Sequence, residues 1–403
     1  MNIILFTNHF YPESFRCNDI AFELSKMGHD VKVLTSIPDY PQGRFHKGYS
    51  LVNKRREVVN GVEVVRVPII PRGNGKPIRL AINYCSSIFF FFFYGLYQSF
   101  FHKYDCVFIH DTSPAFISLA AIRLGKIQKI PVYHWILDMW PESLAAGGVH
   151  NGKVYSVILR MMKKIYSHDS KILITSHGFK KLLLERGVDN SKIIYFPNWS
   201  DAAIETDYQG SLPELPDGFL IMFAGNIGEA QNIENVMAAA KKTCNEKKIH
   251  WVFVGDGRKK SWADDFVMNN HLEDTVHLLG RYPIESMSYF FRKADVMLVS
   301  LRNDDVFNLT LPAKVQAYMA AGKPILGMIN GETHDIIGEA DCGWCCGADE
   351  IDAMAEKVIE ISKLNRDKFR IFGENGLKYY KEHFTREHCM KILENCITNN
   401  KSE

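Results

Sequence analysis

Short apolar segments that could form strands alternate with helical patterns through the first half of the chain. The first segment, Ile3–Thr7, precedes an amphipathic helical pattern over Asn18–Met27, and Gly28-His29-Asp30 turns the chain into the next segment. The later segments are Val31–Thr35, Gly61–Val67, Cys106–His110, Val132–Leu137, Ile172–Thr175 and Ile193–Phe196. Short strands separated by helices are typical of parallel βαβ units, so this half predicts a doubly wound parallel sheet.

The same pattern restarts after a polar, proline-bearing stretch, Asp207–Gly218, which predicts an interdomain linker. The strand-like segments of the second series are Phe219–Ala224, Trp251–Val254, Val276–Leu279, Val296–Leu301 and Pro324–Met328. The predicted fold class is therefore α/β, with two Rossmann-like doubly wound domains over residues 1–200 and 201–384 that face a cleft. A ligand is expected in that cleft, at the carboxyl ends of the strands. The closing helical pattern, at about residues 385–403, could pack back on the first domain.

Composition and charge narrow the class of protein. The chain has 403 residues, 46% of them hydrophobic and 23% charged, which describes a globular protein of two or three domains. Its apolar start is short and has no basic leader, so it predicts a buried strand of a cytoplasmic protein. Residues 1–200 carry 25 Lys and Arg against 14 Asp and Glu, whereas residues 201–403 carry 23 against 32. The basic first half predicts an anionic partner, either nucleic acid or an anionic membrane surface.

One uncharged segment of 22 residues, Leu80–Phe101, contains the aromatic run Phe89–Tyr94 and is long enough to cross a bilayer. Polar residues dilute it, and it lies inside a βα series that needs both flanks on one side of a membrane. A buried or half-buried helix, a helix docked into the membrane interface and a true span are the three alternatives. Arg72, Lys76 and Arg79 precede the segment and favour docking over simple burial, because basic side chains are attracted to anionic lipid.

The stretch Asp304–Glu332 predicts a phosphate site. A polar loop leads into Pro312, which suits the first turn of a helix over Ala313–Ala321, and a buried strand over Ile325–Ile329 follows. A helix start offers free N–H groups and the positive end of the helix dipole to an anion, and Lys314 in the first turn adds a charge. The alternative is an ordinary helix start with a solvated lysine.

Three further loops follow predicted strands in the second half. Gly225, Asn226 and Gly228 open a βα turn on whose amides a diphosphate could rest, and Gly255 repeats the arrangement one strand later. Arg281 follows a third strand and is either a phosphate ligand at the same edge or an ordinary surface arginine. The chain has no G-x-G-x-x-G fingerprint, which disfavours a dinucleotide enzyme. Cys342, Cys345 and Cys346 form the one cysteine cluster, and no metal site is predicted because a zinc site needs a fourth ligand.

In the first half, polar groups end two neighbouring strands. His110 closes one, and Asp138 and Glu142 follow the next, in the segment His134–Ser143 that also contains two tryptophans. Ligand contacts concentrate at such strand ends, and tryptophan offers a flat face to a sugar ring. The alternatives are a structural histidine at residue 110 and a helix cap at residue 138.

Together these segments resemble the GT-B glycosyltransferases of family 4, and most closely the WbuB-like subgroup that builds bacterial O-antigen and capsule chains. The resemblance covers nearly the whole length and rests on ordered motifs: YPE, GHDVKVLT, PDYPQGRF, LDMWPES, PNWSD, FAGNIGEAQN, FVGDG, GRYP, LPAKVQAYMAAGKPIL and NGE. It implies transfer of a sugar from a nucleotide sugar to a hydroxyl with retained anomeric configuration, without metal or cofactor. The implied partners are the nucleotide-sugar donor, probed first as UDP-linked, a polyprenyl-diphosphate-linked saccharide acceptor and the anionic inner face of the cell membrane, with no nucleic acid.

The resemblance also assigns roles to residues. Lys314, Arg281 and the amides of Gly225–Gly228 and the Pro312 helix start would stabilise the leaving diphosphate. Asp138 and Glu142 would orient the sugar or the acceptor, with His110 as a proton relay. Gln316 and Glu332 complete the predicted substrate-binding set.

The chain departs from the family pattern at three places. Ala317 stands where family members carry an acid that holds the ribose, and Gln316 beside it is the candidate replacement. Asn226 and Gln231 stand where the phosphate loop commonly has arginine and lysine, and Glu13-Ser14-Phe15-Arg16 replaces a Gly-Gly turn. Two other functions therefore remain open: a non-hydrolysing nucleotide-sugar epimerase, and an inactive membrane-associated binding subunit.

Overall fold

The structure is a computed structural model that describes residues 1–145, 152–201 and 208–399. The chain divides into two compact units. The N-terminal unit comprises Met1–Thr175, Phe179–Phe196 and Met390–Glu403, and the C-terminal unit comprises Ser176–Gly178 and Pro197–Cys389. Residues 208–218 of the predicted linker contain no helix or strand, and Asp207 lies outside the described residues.

The N-terminal unit is built around an eight-stranded sheet with the order β3-β4-β2-β1-β5-β6-β7-β8. Its strands are β1 (Asn2–Thr7), β2 (Asp30–Ser36), β3 (Arg56–Val59), β4 (Val62–Val67), β5 (Cys106–Asp111), β6 (Val132–Ile136), β7 (Lys171–Ile174) and β8 (Ile193–Tyr195). The helices along this part of the chain are α1 (Arg16–Lys26), α2 (Pro77–Phe101), α3 (Ser118–Gln128), α4 (Glu142–Ala145), α5 (Lys153–His168) and α6 (His177–Glu185).

All pairings in this sheet are parallel except the hairpin of β3 and β4. Sequence analysis missed β3, although Asn60 and Gly61 connect the two strands with φ of 49° and 83°. An Asn-Gly pair with positive φ at both residues is the signature of a tight hairpin turn. The half-exposed Arg56–Val59 did not show the apolar character of the buried parallel strands, because it lies at the sheet edge.

The C-terminal unit contains a six-stranded, wholly parallel sheet with the order β11-β10-β9-β12-β13-β14. Its strands are β9 (Phe219–Ala224), β10 (Ile249–Val254), β11 (Val276–Gly280), β12 (Val296–Ser300), β13 (Ile325–Met328) and β14 (Gly343–Cys346). The helices are α7 (Ile233–Lys242), α8 (Lys260–Asn269), α9 (Met287–Lys293), α10 (Asp305–Asn308), α11 (Ala313–Ala320), α12 (Glu332–Glu339), α13 (Ile351–Ile361), α14 (Arg366–His383) and α15 (Arg386–Asn399), the last of which continues into the N-terminal unit.

Each sheet reverses its strand order at one point. In the N-terminal unit β1 lies between β2 and β5, and in the C-terminal unit β9 lies between β10 and β12. Helix-connected parallel strands that reverse order in this way leave a crevice at the carboxyl edge of the sheet. The prediction of two doubly wound parallel sheets is confirmed, and the two crevices are where functional side chains are to be sought.

Helix α2 buries polar side chains and exposes apolar ones, which is the reverse of an ordinary surface helix. Its buried face carries polar residues with less than a tenth of their surface exposed, whereas its phenylalanines Phe89 and Phe93 are 56% and 52% exposed. Most of the buried polar groups are bonded: Asn83 Nδ2 donates to the Ile70 carbonyl at 2.6 Å, and Tyr104 Oη donates to Gln98 Oε1 at 2.6 Å. Ser87 Oγ has no partner among the described residues. The apolar surface of α2 therefore faces outward.

Among the described residues, Ile78–Phe101 is the one helix long and apolar enough to cross a membrane by length and composition. Only 22% of its most apolar window is buried.

Candidate functional site

Three glycines line the carboxyl edge of the C-terminal sheet, each just after or at the end of a strand. The Gly225 amide donates to the Val254 carbonyl at 2.9 Å, and the Gly255 amide donates to the Gly280 carbonyl at 2.8 Å. A Cβ built on Gly255 would lie 1.8 Å from the Gly225 carbonyl oxygen, so no other residue fits there. Gly255 thus packs the edge and leaves its amide unavailable to a ligand.

Two amides of the loop that follows β9 remain unbonded, one at the exposed Asn226 and one at the buried Gly228. Ile227 donates to the Asp256 carbonyl at 2.9 Å, which together with the Gly225 bond uses two of the four predicted donors. In the described part of the chain, the amides of Asn226 and Gly228 have no acceptor. Free amides in a loop that leads into a helix form an anion-binding concavity. The predicted phosphate loop therefore has two unbonded amide donors, instead of the four that the sequence indicated.

Lys314 brings a positive charge to this loop. It lies in the first turn of α11, whose N-cap is Pro312, and its Nζ donates a hydrogen bond to Gln231 Oε1 and lies 3.9 Å from the centre of the Phe223 ring. Burial of the amine lowers the pKa of Lys314 to about 7. A diphosphate beside it would favour the charged form, because an anion stabilises the ammonium.

Helix α11 is tied to the end of β9 by a tyrosine. The Tyr318 hydroxyl contacts both the amide and the carbonyl of Ala224, at 3.1 and 3.2 Å. The anchor fixes the start of α11 beside the open loop, so that Lys314 and the loop amides belong to one site. Pro312 takes part as the N-cap of α11 rather than as a residue of its first turn.

Gln316 does not replace the missing acid. Its side chain is fully buried, and with its amide nitrogen turned toward the helix start it donates to the carbonyls of Pro312 at 3.0 Å and Ala313 at 3.2 Å. Its own helix satisfies the amide, and binding of substrate by Gln316 stays a prediction. Ala317 is also buried, so neither residue presents a polar group to a ribose.

The carboxylate of Glu332, another predicted substrate-binding residue, is likewise occupied by contacts within the protein. It begins α12, and its carboxylate accepts hydrogen bonds from Ser176 Oγ at 2.7 Å, from the His177 amide at 2.6 Å and from the Gly178 amide. A carboxylate on the first amides of α6 caps that helix. The sequence did not indicate these partners, because they lie more than 150 residues from Glu332, and its role in substrate binding stays a prediction.

Two more residues lie near this edge: Arg281, and Asp304 at the start of the stretch that predicts a phosphate site. Arg281 directly follows β11 and is exposed, so it remains available to an anion at the same sheet edge. Asp304 accepts a hydrogen bond from the Val306 amide at 2.9 Å and caps α10. Among the described residues, no group of three or more His, Cys, Asp or Glu side chains is arranged to hold a metal ion.

In the N-terminal unit, His110 lies at the end of β5 and is fully buried. Its Nδ1 is hydrogen-bonded to Thr7 Oγ1 at 2.9 Å, and its ring packs against Trp135 at 5.2 Å. Burial lowers the pKa of His110 to about 3, so the imidazole is neutral. Its Nε2 has no partner among the described residues, but a side chain with no exposed surface cannot relay a proton unless the loops above it move.

Asp138 follows β6 at the same edge. Its Oδ2 accepts a hydrogen bond from Ser113 Oγ at 3.0 Å, and the same hydroxyl accepts one from Trp140 Nε1 at 3.1 Å. Burial raises the pKa of Asp138. The carboxyl group therefore remains a candidate to orient a sugar hydroxyl or to exchange a proton with it.

Glu142 has a structural role. It starts α4, forms an ion pair with Arg186 and accepts a hydrogen bond from Tyr155 Oη at 3.3 Å. Arg186 in turn donates to the Trp140 carbonyl at 2.9 Å. These contacts hold Glu142 to the loop that carries Asp138, and a catalytic role of Glu142 stays a prediction.

A cluster that sequence analysis missed lies beyond β1. His9 Nδ1 donates to Glu13 Oε2 at 2.8 Å, while Arg72 donates through a terminal guanidinium nitrogen to His9 Nε2 at 2.8 Å. Glu13 Oε1 accepts from the amides of Asp39 at 2.9 Å and Tyr40 at 2.7 Å, and Asp39 Oδ2 accepts from the Arg72 amide at 2.8 Å. The motifs YPE and PDYPQGRF contain Glu13 and Asp39, but neither motif indicates that the two residues are in contact. Arg72, expected to face a membrane, belongs to this cluster, and only 19% of its side chain is exposed.

A second charged group is entirely internal. His134 bonds Asp169 Oδ2 through Nδ1 at 2.9 Å and Asp111 Oδ2 through Nε2 at 3.0 Å. Burial alone would lower the pKa of His134, but the two carboxylates raise it to about 10. The group joins β5, β6 and the start of β7 beneath the edge, so it supports the site without touching a ligand.

Two family models match the chain in succession. Residues 14–199 match the glycosyl transferase 4-like domain, and residues 205–379 match the glycosyl transferases group 1 domain. A probable glycosyltransferase, WbjE of Pseudomonas aeruginosa, is 28% identical over 311 residues, which cover 73% of this chain and 75% of WbjE. The putative colanic acid biosynthesis glycosyl transferase WcaI of Escherichia coli is 24% identical over 359 residues, covering 84% and 85% of the two chains.

Solved structures agree on the fold. Sucrose-phosphate synthase from Thermosynechococcus elongatus superimposes with a TM-score of 0.75 at 14% identity, over 100% of this chain and 99% of that one. The Anabaena protein Alr3699/HepE, solved with UDP and glucose, gives a TM-score of 0.69 at 12% identity over 98% and 99% of the chains. The GT-B fold predicted from the sequence is therefore confirmed. The chain belongs to the glycosyltransferases, with a 4-like domain followed by a group 1 domain.

Proposed function

We propose that the protein transfers a sugar from a nucleotide sugar to a lipid-linked saccharide during synthesis of a bacterial surface polysaccharide, with retained anomeric configuration. The observation that carries the donor part is the position of Lys314 beside the two unbonded amides of the loop after β9. Negative charge develops on the leaving diphosphate as the glycosidic bond breaks, and positioned donors stabilise that charge.

The proposed donor site uses the C-terminal unit alone. The amides of Asn226 and Gly228 and the ammonium of Lys314 would bind the diphosphate, with Arg281 at the rim. The bound UDP of the Anabaena neighbour supports a uridine nucleotide as the first donor to test. An N-acetylated or deoxy-amino hexose is the first sugar class to examine, as the resemblance to the WbuB-like subgroup implies.

The proposed acceptor site uses the carboxyl edge of the N-terminal sheet. Asp138 would orient the attacking hydroxyl, and its raised pKa suits a group that shares a proton with it. No nucleophilic side chain is assigned: in the reaction we propose, the hydroxyl attacks the face that the diphosphate leaves, and the departing phosphate takes the proton. The acceptor is proposed to be a polyprenyl-diphosphate-linked saccharide, consistent with the colanic acid biosynthesis in the name of the relative WcaI.

The proposed location is the cytoplasmic face of the cell membrane, with the N-terminal unit against the lipid. Supporting it are the surplus of basic residues in the first half and the outward phenylalanines of α2. Exposed aromatic side chains and basic side chains together hold peripheral proteins at anionic bilayers.

A panel of nucleotide sugars, each incubated with a lipid-linked acceptor, tests the reaction. Transfer from one donor is the expected result. Conversion of the donor to its epimer without acceptor would instead establish an epimerase, and binding of UDP without turnover would establish an inactive binding subunit.

The same assay repeated in excess EDTA tests the metal-free mechanism. Activity is expected to persist, because Lys314 and the loop amides supply the charge stabilisation. Loss of activity that Mg²⁺ or Mn²⁺ restores would contradict this mechanism.

A further inference from the structure

An open apolar groove lies on the N-terminal unit between α2, α3 and α5. Its walls include Phe89, Phe93, Leu119 and Val157, and it encloses about 860 Å³. That volume falls within the roughly 300–1,000 Å³ of sites that bind small ligands. A large apolar surface exposed to water marks a site of interaction, so we expect a ligand to occupy the groove.

The rim of the groove is basic. Arg123, Lys126, Arg160 and Lys164 line it, and all four are exposed. None of the four forms an ion pair with another residue in the described part of the chain, although many surface lysines and arginines of this protein do. Apolar walls with an unpaired basic rim match a molecule that joins a hydrocarbon chain to a phosphate.

The topology indicates which end of the groove receives the phosphate. Helices α2, α3 and α5 each connect two parallel strands, so each runs from the carboxyl edge of the sheet back to the amino edge. Lys126 and His168 lie in the last turns of α3 and α5, and Lys164 lies one turn earlier. The basic end of the groove is therefore at the amino edge, away from the strand ends where Asp138 lies.

The position of the basic residues along the groove distinguishes between two lipid ligands, the lipid-linked acceptor and a membrane phospholipid. The diphosphate of a lipid-linked acceptor must lie close to its sugar, at the carboxyl edge, whereas Lys126, Lys164 and His168 lie toward the other end of the groove, with Arg123 and Arg160 midway along α3 and α5. We propose that the groove binds an anionic membrane phospholipid, with a hydrocarbon chain along α2, α3 and α5 and the phosphate on Arg123, Lys126 and Lys164. The proposal rests on the membrane location proposed above and adds to it a specific lipid site, distinct from the acceptor.

The test uses the full-length protein and two forms of one probe. Co-sedimentation with phosphatidylcholine vesicles, with and without phosphatidylglycerol, measures attachment to a bilayer. Calorimetry with short-chain phosphatidylglycerol below its micelle concentration measures binding of single lipid molecules. Wild type is expected to bind both phosphatidylglycerol probes and to ignore pure phosphatidylcholine.

Two variants locate the site. Arg123→Glu/Lys126→Glu is expected to weaken binding of both probes by at least roughly thirtyfold, because each basic residue near anionic lipid contributes about fivefold. Leu119→Glu, which puts a carboxylate into a wall of the groove, is expected to abolish binding of the short-chain lipid. Lys363→Glu/Lys368→Glu changes two exposed lysines of the C-terminal unit and serves as the charge control, with binding unchanged.

Circular dichroism and UDP affinity, which the groove variants should leave intact, exclude misfolding as the cause. Vesicle binding that survives both groove variants would overturn the lipid site while leaving membrane attachment in place. A wild type that ignores anionic vesicles would overturn both. Competition of short-chain phosphatidylglycerol by a soluble polyprenyl phosphate, or a dimer that the lipid dissociates, would assign the groove to another occupant and overturn the proposal.

Discussion

The carboxyl edges of the two sheets are built in opposite ways. In the N-terminal unit, charged side chains dominate: His9, Glu13, Asp39 and Arg72 bond one another in a closed set. In the C-terminal unit, glycine backbone forms the edge, and Lys314 is the charge beside it. Side chains can be exchanged without moving the sheet, whereas a close-packed backbone cannot. The first edge is therefore suited to recognising a ligand through side chains, and the second is suited to the diphosphate of a nucleoside-diphosphate sugar.

The largest effect is expected from Gly255→Ala. The new Cβ would lie 1.8 Å from the Gly225 carbonyl oxygen at a residue with φ of 154°, so the loop after β9 must shift. Overpacking and strain together should destabilise the C-terminal unit by about 2–5 kcal/mol and remove UDP binding. Calorimetric titration with UDP and urea unfolding measure the two effects. Gly338→Ala is the control, since a Cβ there meets nothing within 4 Å, and equal behaviour of the two variants would refute a backbone-built edge.

Lys314→Ala should lower transfer by roughly 10²–10³-fold, as removal of one positioned charge-stabilising donor does. The decrease should appear in kcat with little change in unfolding free energy. Lys314→Met retains the apolar stem over Phe223 and separates loss of charge from loss of packing, while Lys242→Ala, whose partner is Asp352, is the surface control. Unchanged turnover in folded Lys314→Ala protein would remove Lys314 from the site.

Glu13→Gln is the matching test of the other edge. The amide keeps an oxygen for the Asp39 and Tyr40 N–H groups but loses the charge that faces His9, so a moderate loss of roughly 10-fold in transfer is expected. The loss should appear in the KM for the acceptor, because the donor edge is unaffected. A change in UDP affinity of similar size would show that the two edges are not independent.

The smallest effect concerns pH. Because the pKa of Lys314 is lowered to about 7 and a diphosphate binds its charged form, UDP affinity should fall as pH rises above 7, by at most about tenfold for each unit. Titrations between pH 6 and 9 test this, and Lys314→Met should remove the added slope. A wild type whose affinity is flat across this range would show that the amine stays charged without ligand.

The sequence predicted the strands well because fully buried parallel strands appear as short apolar runs. It missed β14, Gly343–Cys346, whose glycine and cysteines do not form such a run. The site was predicted where the chemistry is local: Gly225, Gly228 and Lys314 follow from strand ends and a helix start. The contacts of Gln316, Glu142 and Glu332 were not predicted, because their hydrogen-bond partners are set by packing rather than by spacing.

The cluster of His9, Glu13, Asp39 and Arg72 was not predicted from the sequence for the same reason: packing, not spacing, brings its members into contact. Its members lie on three loops, and the contact between His9 and Arg72 spans 63 residues. Single residues of each type are common in loops, and only the parallel order of β1, β2 and β4 brings them together. The pattern of a single sequence does not indicate contacts between side chains on three different loops.

The inverted face of α2 has a consequence for synthesis of the protein in the cell. Strands β4 and β5, which flank the helix, belong to one sheet, so the finished protein cannot thread α2 through a bilayer. During translation, however, residues 78–101 leave the ribosome before β5 exists, and the insertion machinery meets them as a candidate membrane segment. Asn83, Ser86, Ser87, Gln98 and Ser99, which the fold later buries, lower the apolarity of the segment at that moment. We expect that replacing them with leucine would divert nascent chains into the membrane, which fractionation of newly made protein would detect.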